Sequence, residues 1–357
     1  MSGTRIGING FGRIGRSIAK ILSSREDLEL VAVNDLTEDA GNLAYLYNFD
    51  STYGRPDQRA EAEEQSLRIG ERVVDTYCTE RISDVPWADS GVDFVIDASG
   101  VQANLLAAPE LIASGAVRKV VVTNSPTEGV DLTVIMGIND SDYDPDVHHV
   151  VSASICDANA IAHVLTCLDS AFGIEQGFIT TLHPWLSYQN LVDAPVRSQS
   201  QPSAFWTDYS LGRASTGTLI PKKTTAVQAL AQVIADFGPK LEAISFRIPT
   251  DVVTSADLSL GLARSVSLEE VEGTLRGLAE ASPYIAFNSE PLLSIDFKKR
   301  SESAIIDGRW LRVLKGSVKC VLWYDNEWGY SCRVVDLMRM LSRGGVQEGV
   351  AARGGTR

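Results

Sequence analysis

Positive charge is what this chain has least of. Against 46 Asp and Glu it carries only 32 Lys and Arg, a net charge of −14 over 357 residues. Nucleic acids and anionic membranes reward clustered Lys and Arg, so the balance argues against either as a partner. Any anionic ligand must then be held by local cations working against the overall field. Cysteine is also sparse. Cys78, Cys156, Cys167, Cys320 and Cys332 are odd in number, widely spread and without CxxC spacing. That pattern fits free thiols in a reducing cytosol, and neither a disulfide framework nor a metal site is expected. The opening "MSGTRIGING" runs straight into a strand, so no signal peptide is read. No apolar run approaches the roughly 18 residues of a membrane span. There is no internal repeat, and one biased patch, "VRSQSQPSAF" at 196–205, reads as loop. A cytoplasmic location is the expectation.

What is present is ordinary for a globular chain with a full core: 44% apolar and 22% charged residues. The length suggests two domains. "TRIGIN" and "LELVAVND" read as strands flanking the helical "RIGRSIAKILSSR", with later strands in "VDFVIDASG" and "VRKVVVTN". Strand–helix–strand alternation predicts parallel strands with right-handed crossovers, a doubly wound α/β sheet. After residue 155 the texture changes. An amphipathic helix, "NAIAHVLTCLDSAFG", precedes alternating strand patterns in "GFITTLHPW", "AISFRIPT", "SADLSLGLAR" and "SVKCVLWYD". These predict an α+β unit whose mostly antiparallel sheet has one face covered by helices. "YSCRVVDLMRMLSRGG" reads as a closing helix, and the tail "VQEGVAARGGTR" as frayed. The expected division is 1–155 with 324–357, and 156–323.

The strongest motif is Gly10-Phe11-Gly12-Arg13-Ile14-Gly15, a GxGxxG that follows a strand and opens a helix. Glycines there let the backbone approach a pyrophosphate resting on the free N–H groups of the helix N-terminus. Asp35 closes the next strand, 20 residues after Gly15, where a carboxylate can bind the adenosine ribose hydroxyls. The same carboxylate repels a 2′-phosphate, which favours NAD over NADP, and Arg13 counters this only weakly. Ser99 and Gly100, after the strand in "VDFVID", are grouped with the cofactor residues.

The segments "RIGINGFGRIGR", "VAVNDL", "YNFDSTYGR", "TTLH", "FRIPT", "SEPLLSIDF", "SAIIDG" and "WYDNEWGYSCRVVDL" run in register over almost the whole chain. Together they resemble the glyceraldehyde-3-phosphate dehydrogenase superfamily, which includes erythrose-4-phosphate dehydrogenases. The resemblance implies a Rossmann-type NAD-binding domain, a homotetramer, and oxidation of an aldehyde through a cysteine thiohemiacetal and a thioester. The chemistry agrees, because hydride transfer from an aldehyde needs a tetrahedral adduct and a thiolate supplies one. Cys156, three residues before Asn159, matches the family cysteine, and a helix N-terminus at this point is expected to lower its pKa. His183, after "TTL", matches the family base. By the same resemblance Asn326 orients the nicotinamide carboxamide over Tyr330, while Arg81 and Asn124 line the adenine and nicotinamide sides. Asn124 stands where the family has serine. Cys167 reads as core, and His148, His149 and His163 as surface or packing residues.

Departures gather where the family binds anions. Its SCTTN motif is here Ile155-Cys156-Asp157, which removes a hydroxyl donor and sets a carboxylate where phosphate would attack. Like charges that close cost several kcal/mol at an effective dielectric of about 20, so phosphate is disfavoured as acyl acceptor and water is favoured. Leu186 replaces the family threonine, as erythrose-4-phosphate dehydrogenases also lack it. "IPKKTTAV" supplies Lys222, Lys223, Thr224 and Thr225 in place of the usual loop, Ser210 and Leu211 stand at paired-arginine sites, and Arg213 and Arg247 remain. About ten residues at 196–205 are extra. An anionic aldehyde held by Arg247 with Lys222 or Lys223 is the expected substrate. Asp157 would bind a substrate hydroxyl or amine, or position the deacylating water. Two rivals stay open: phosphorylating glyceraldehyde-3-phosphate oxidation, and a catalytically weak NAD-binding regulator.

Overall fold

A computed structural model describes residues 3–344, and the tail expected to fray, 346–357, lies outside them. The first half builds β1 (Thr4–Asn9), α1 (Arg13–Ser23), β2 (Leu28–Asp35), α2 (Ala40–Asn48), β3 (Ala60–Ala62), β4 (Ser66–Ile69) and β5 (Arg72–Cys78). It continues with β6 (Phe94–Asp97), α3 (Gln102–Ala113), β7 (Lys119–Val122), β8 (Leu132–Thr133) and β9 (Val150–Ser152). These nine strands form one sheet in the order β3-β4-β5-β2-β1-β6-β7-β9-β8. Its centre is parallel, with an antiparallel β3-β4-β5 edge. Strand order reverses at β1, where β2 and β6 flank it on either side, so a crevice opens above its carboxyl end. The buried runs of β1, β2 and β6 are continuous because helices cover both faces.

The second half opens with α4 (Cys156–Phe172), then β10 (Ile174–Pro184), β11 (Ile220–Lys223), α5 (Ala226–Ala231), β12 (Leu241–Ile248) and β13 (Thr254–Leu262). It closes with α6 (Leu268–Ala281), β14 (Ile285–Asn288), β15 (Ala304–Asp307), β16 (Arg312–Leu314) and β17 (Ser317–Tyr324). The sheet order is β11-β12-β10-β13-β17-β15-β14, with β16 on β17. Most pairs are antiparallel; β10 with β12 and β14 with β15 run parallel. Ile161, Leu165 and Leu168 of α4 and Val271 and Leu275 of α6 share one core with Leu258, Leu260 and Leu322 of the sheet. Removing one such side chain, as in Leu165→Ala, costs about 2–5 kcal/mol. The opposite face leaves Phe178, Leu182 and Ile244 exposed.

The last helix, α7 (Trp328–Ser342), returns to the first sheet, where Val334 and Met338 pack with Ile18 and Leu22 of α1. The chain therefore crosses between the sheets twice, once just before Cys156 and once at Asp325-Asn326-Glu327. The two crossings meet in a single cleft.

Candidate active site

Cys156 owes its place to a strained turn. Ser154, fully buried, has φ of 57°, a left-handed backbone that costs a non-glycine residue about 1–2 kcal/mol. Four hydrogen bonds hold it. Ser154 N donates to Ser152 Oγ at 2.9 Å, Tyr330 Oη donates to Ser154 O at 2.9 Å, and Asn159 Nδ2 donates to Ala153 O and Ile155 O, both at 3.0 Å. The side chain of Asn159 thus shapes the nucleophile turn, and Cys156 begins α4.

The immediate partner of that thiol is Asp157. Its Oδ1 accepts from His183 Nε2 at 2.7 Å, from Tyr324 Oη at 2.7 Å and from Cys156 Sγ at 3.6 Å. His183 Nδ1 lies 3.0 Å from Thr254 Oγ1, and the imidazole meets the Tyr324 ring edge-on. Asp157 is only 4% exposed. Burial alone would raise its pKa, but His183, Tyr324 and Arg247 outweigh that and bring it to about 2. The thiol moves the other way. Burial and the adjacent Asp157 carboxylate push it well above the usual cysteine range, with Arg247 and a backbone hydrogen bond only partly opposing. The expectation that the helix N-terminus would lower it is therefore overturned, since a dipole worth about half a charge is outweighed by a full carboxylate in contact. The Tyr324 phenol, raised by burial and by Asp157, stays protonated as a donor.

Beside this cluster, on the same sheet, lies a cationic wall. Arg247 is the register partner of His183 on the neighbouring strand. Its guanidinium donates to Pro184 O and Tyr188 Oη, each at 3.4 Å, while Nε, also buried, has no partner among the described residues. Lys222, two strand positions from Arg247's partner Ile220, has its pKa lowered to about 8 by burial and by Arg247. Thr224 and Thr225 line the same wall. Sulfur, carboxylate and imidazole ligand atoms lie within 4.8 Å of one another, yet the neighbouring cations suit an anion there better than a metal ion.

The cofactor half of the cleft, whose total volume is about 1830 Å³, is lined by Gly10, Gly12, Arg13, Ile14, Asp35, Ser99, Gly100, Asn124, Asn326 and Tyr330. Gly10 has φ of +90°, and a Cβ on it would meet Ser99 Cα at 2.7 Å. Gly12 faces open space. Asp35 already braces this loop, accepting from Phe11 N at 2.6 Å and from Leu36 N at 2.7 Å. Asn124 and Asn326 each carry a buried Oδ1 with no partner among the described residues, two acceptors that fit a carboxamide N–H. A dinucleotide of the NAD type therefore fits the residues present.

Four expected site residues lie elsewhere. Phe11 is buried and stacked on Tyr47, and Gly15 is packed against Gly10 O, where a Cβ would come within 2.1 Å. Arg81 is exposed and outside the cleft lining. Arg213 turns to solvent and pairs with Asp193 at 3.1 Å. Arg13 reaches the cleft, but Glu327 and Thr52 hold its guanidinium. Asp157 Oδ1 is saturated by its own chain, so it does not offer that oxygen to a substrate hydroxyl or amine.

Other contributors were not foreseen. Tyr324 and Thr254 come from strands distant in sequence, and nothing in a period-2 pattern marks either as special. Asn9, Asn34 and Asp97 form a buried chain beneath the glycine loop, through Asn9 Nδ2 to Asp97 Oδ1 at 2.9 Å and Asn34 Nδ2 to Asn9 Oδ1 at 2.7 Å. Asp97 then accepts from Ser99 N and Oγ. The 196–205 segment, read as loop, is a hairpin-like excursion with a bridge between Arg197 and Phe205. Its tip rests on the cofactor half, where Gln102 N donates to Ser200 O and Gln201 Nε2 to Gln102 Oε1, both at 3.0 Å.

Comparison with known proteins gives a consistent result. Residues 4–105 match the NAD binding domain of glyceraldehyde 3-phosphate dehydrogenase, and residues 155–326 match its C-terminal domain. A glyceraldehyde-3-phosphate dehydrogenase of Kitasatospora aureofaciens is 37% identical over 342 residues, covering 95% of this chain and 99% of that protein. The enzyme of the same name from Geobacillus stearothermophilus is 35% identical over 345 residues, 96% and 99% of the two chains. A relative from Craterostigma plantagineum, described as cytosolic, is 34% identical over 347 residues, again 96% and 99%.

Proposed function

Because this chain belongs to the glyceraldehyde-3-phosphate dehydrogenase family, and is an NAD-dependent oxidoreductase of that type, we propose that it oxidises an anionic aldehyde on Cys156 and releases the acyl group to water. The observation that carries this reading is the Asp157 carboxylate, ionised and buried beside the thiol, with Arg247 and Lys222 on the neighbouring strands. Inorganic phosphate entering next to Cys156 would meet a fixed negative charge. A substrate whose anion reaches Arg247 would not.

In the chemistry we propose, Cys156 Sγ bonds to the carbonyl carbon and the thiol proton ends on the carbonyl oxygen. The Asp157–His183 pair accepts that hydroxyl proton as a unit when the adduct is oxidised, since His183 Nε2 already donates to Asp157. NAD, when bound, supplies the hydride acceptor for that oxidation. Water then adds to the thioester carbon, the C–S bond breaks and Cys156 regains a proton. Arg247 holds the anionic end by charge-assisted hydrogen bonds. Residues 1–155 with 324–357 would form the NAD-binding unit and 156–323 the catalytic unit. A homotetramer would cover the apolar outer face around Phe178 and Ile244, and the five free cysteines suit the cytoplasm.

The test is NADH formation across phosphorylated, phosphonylated and carboxylated aldehydes, with and without phosphate. A free acid as product, turnover indifferent to phosphate and loss of activity in Cys156→Ser are expected. Phosphate-dependent turnover of glyceraldehyde 3-phosphate would support the phosphorylating alternative instead. The raised pKa of the Cys156 thiol favours a second reading, a catalytically weak NAD-binding regulator. It predicts NAD binding with no NADH burst from any aldehyde.

A further inference from the structure

The anion site has an aromatic wall, and the extra hairpin builds it. Arg247 Nη2 lies 3.4 Å from Tyr188 Oη, and the Tyr188 ring packs on the Trp206 indole with centroids 6.5 Å apart and planes 36° tilted. Trp206 N donates to Val196 O at 2.9 Å, which closes the base of the hairpin and anchors the backbone that carries the indole. Val196 is buried there, whereas Trp206 stays 38% exposed and lines the cleft. Contact therefore runs unbroken from His183 through its register partner Arg247 and Tyr188 to Trp206.

The neighbours of this wall tell against a polyol chain. Leu186 and Ile155 both line the cleft near Cys156, and neither side chain can hydrogen-bond a hydroxyl. A short hydroxylated aldehyde would give up its water contacts against these two side chains and gain no hydrogen bond from them. It would also leave the indole uncovered. The Nε of Arg247 is more than nine-tenths buried at the same spot, a donor with no partner among the described residues.

We propose that the acyl pocket takes an aldehyde whose anionic group is joined to a flat apolar group, an aryl or heteroaryl ring, which packs on Trp206 while the anion pairs with Arg247. The proposal rests on aldehyde oxidation at Cys156 and names the substrate class for that site. A flat ring can cover the exposed part of Trp206, and offset or tilted ring packing adds to the area buried.

Turnover of 3- and 4-formylbenzoate and 4-formylphenyl phosphate is to be compared with that of glyceraldehyde 3-phosphate at saturating NAD. The expected result is a kcat/KM at least about tenfold higher for an aryl aldehyde, the scale of one good aromatic contact. Trp206→Ala should remove most of that advantage through KM, Trp206→Phe should retain it, and NAD affinity should be unchanged in both. Preference for glyceraldehyde 3-phosphate, with Trp206→Ala affecting all substrates alike, would overturn the proposal and leave the aldehyde reading standing. If no aldehyde yields NADH, that reading falls on its own, and the pocket is read by calorimetry. Cys156→Ser should then bind benzene-1,4-dicarboxylate about tenfold more tightly than succinate, and Cys156→Ser/Trp206→Ala should not; equal affinities would refute the aromatic site.

Discussion

The Asp157 carboxylate stands between the imidazole of His183 and the thiol of Cys156, 2.7 Å from Nε2 and 3.6 Å from Sγ through the same oxygen. A cysteine and a histidine that would otherwise face each other as a thiolate–imidazolium pair are separated by a third charge. The electrostatics of the site follow from that one placement. The carboxylate is stabilised and the thiolate destabilised.

Removing the charge while keeping the shape should therefore wake the thiol. Asp157→Asn leaves an oxygen to accept from Tyr324 and takes away the charge that, after burial, raises the Cys156 pKa most. Each pKa unit recovered increases the thiolate fraction at neutral pH about tenfold. Alkylation by iodoacetamide at pH 7 should accelerate by about tenfold or more, and the midpoint of its pH profile should fall. An unchanged profile would mean that Asp157 does not control the nucleophile.

The same carboxylate carries a signature in stability. Its pKa is depressed from the ordinary 3.8 to about 2, which corresponds to about 2 kcal/mol favouring the folded state. For a depressed acid this contribution is present above the unfolded value and is lost as pH falls through the folded one. The stability difference between wild type and Asp157→Asn should thus shrink as pH drops from about 4 towards about 2. Urea unfolding at a series of acidic pH values measures it, and a constant difference would contradict the assignment.

Tyr324 is the other donor that makes a buried Asp157 tolerable. Tyr324→Phe keeps the ring that meets His183 edge-on and deletes the 2.7 Å hydrogen bond to Oδ1. A hydrogen bond to a buried charge is worth about 1.5–3 kcal/mol. The urea midpoint should fall accordingly at pH 7 with an unchanged m-value. In the Asp157→Asn background the same substitution should cost less than half as much, because the acceptor is no longer charged.

The sequence made the cofactor half legible because its signals are local. Gly10 needs its positive φ within one turn, and Asp35 ends the very next strand. Cys156 and His183 were also legible, one at a helix start and the other at a strand end. The partners that decide their chemistry were not. Tyr324 and Thr254 meet Asp157 and His183 only because β13 lies between β10 and β17 in the folded sheet, a pairing that no short-range pattern encodes. Arg213 misled for the converse reason. It sits at a plausible sequence position, but the loop that carries it folds onto Asp193. The Cys156 thiol rises where a helix N-terminus alone would lower it, because burial and the adjacent Asp157 carboxylate outweigh the helix dipole.

Asp35 has a bracing role and a proposed role in cofactor choice, and one conservative change can separate them. Its Oδ2 accepts from Phe11 N at 2.6 Å and so braces the glycine loop, and in the proposed cofactor site its charge would repel a ribose 2′-phosphate. Asp35→Asn retains an acceptor for Phe11 N and abolishes the charge. Its urea midpoint should stay close to that of wild type, while the preference for NAD over NADP, measured as the ratio of kcat/KM values or of dissociation constants, should fall by about tenfold or more, equivalent to about 1.4 kcal/mol. Asp35→Ala should lose both the preference and the brace, with weaker binding of either nucleotide. If Asp35→Asn discriminates as well as wild type, selection against the 2′-phosphate must come from the shape of the pocket, and the carboxylate would be there for the loop alone.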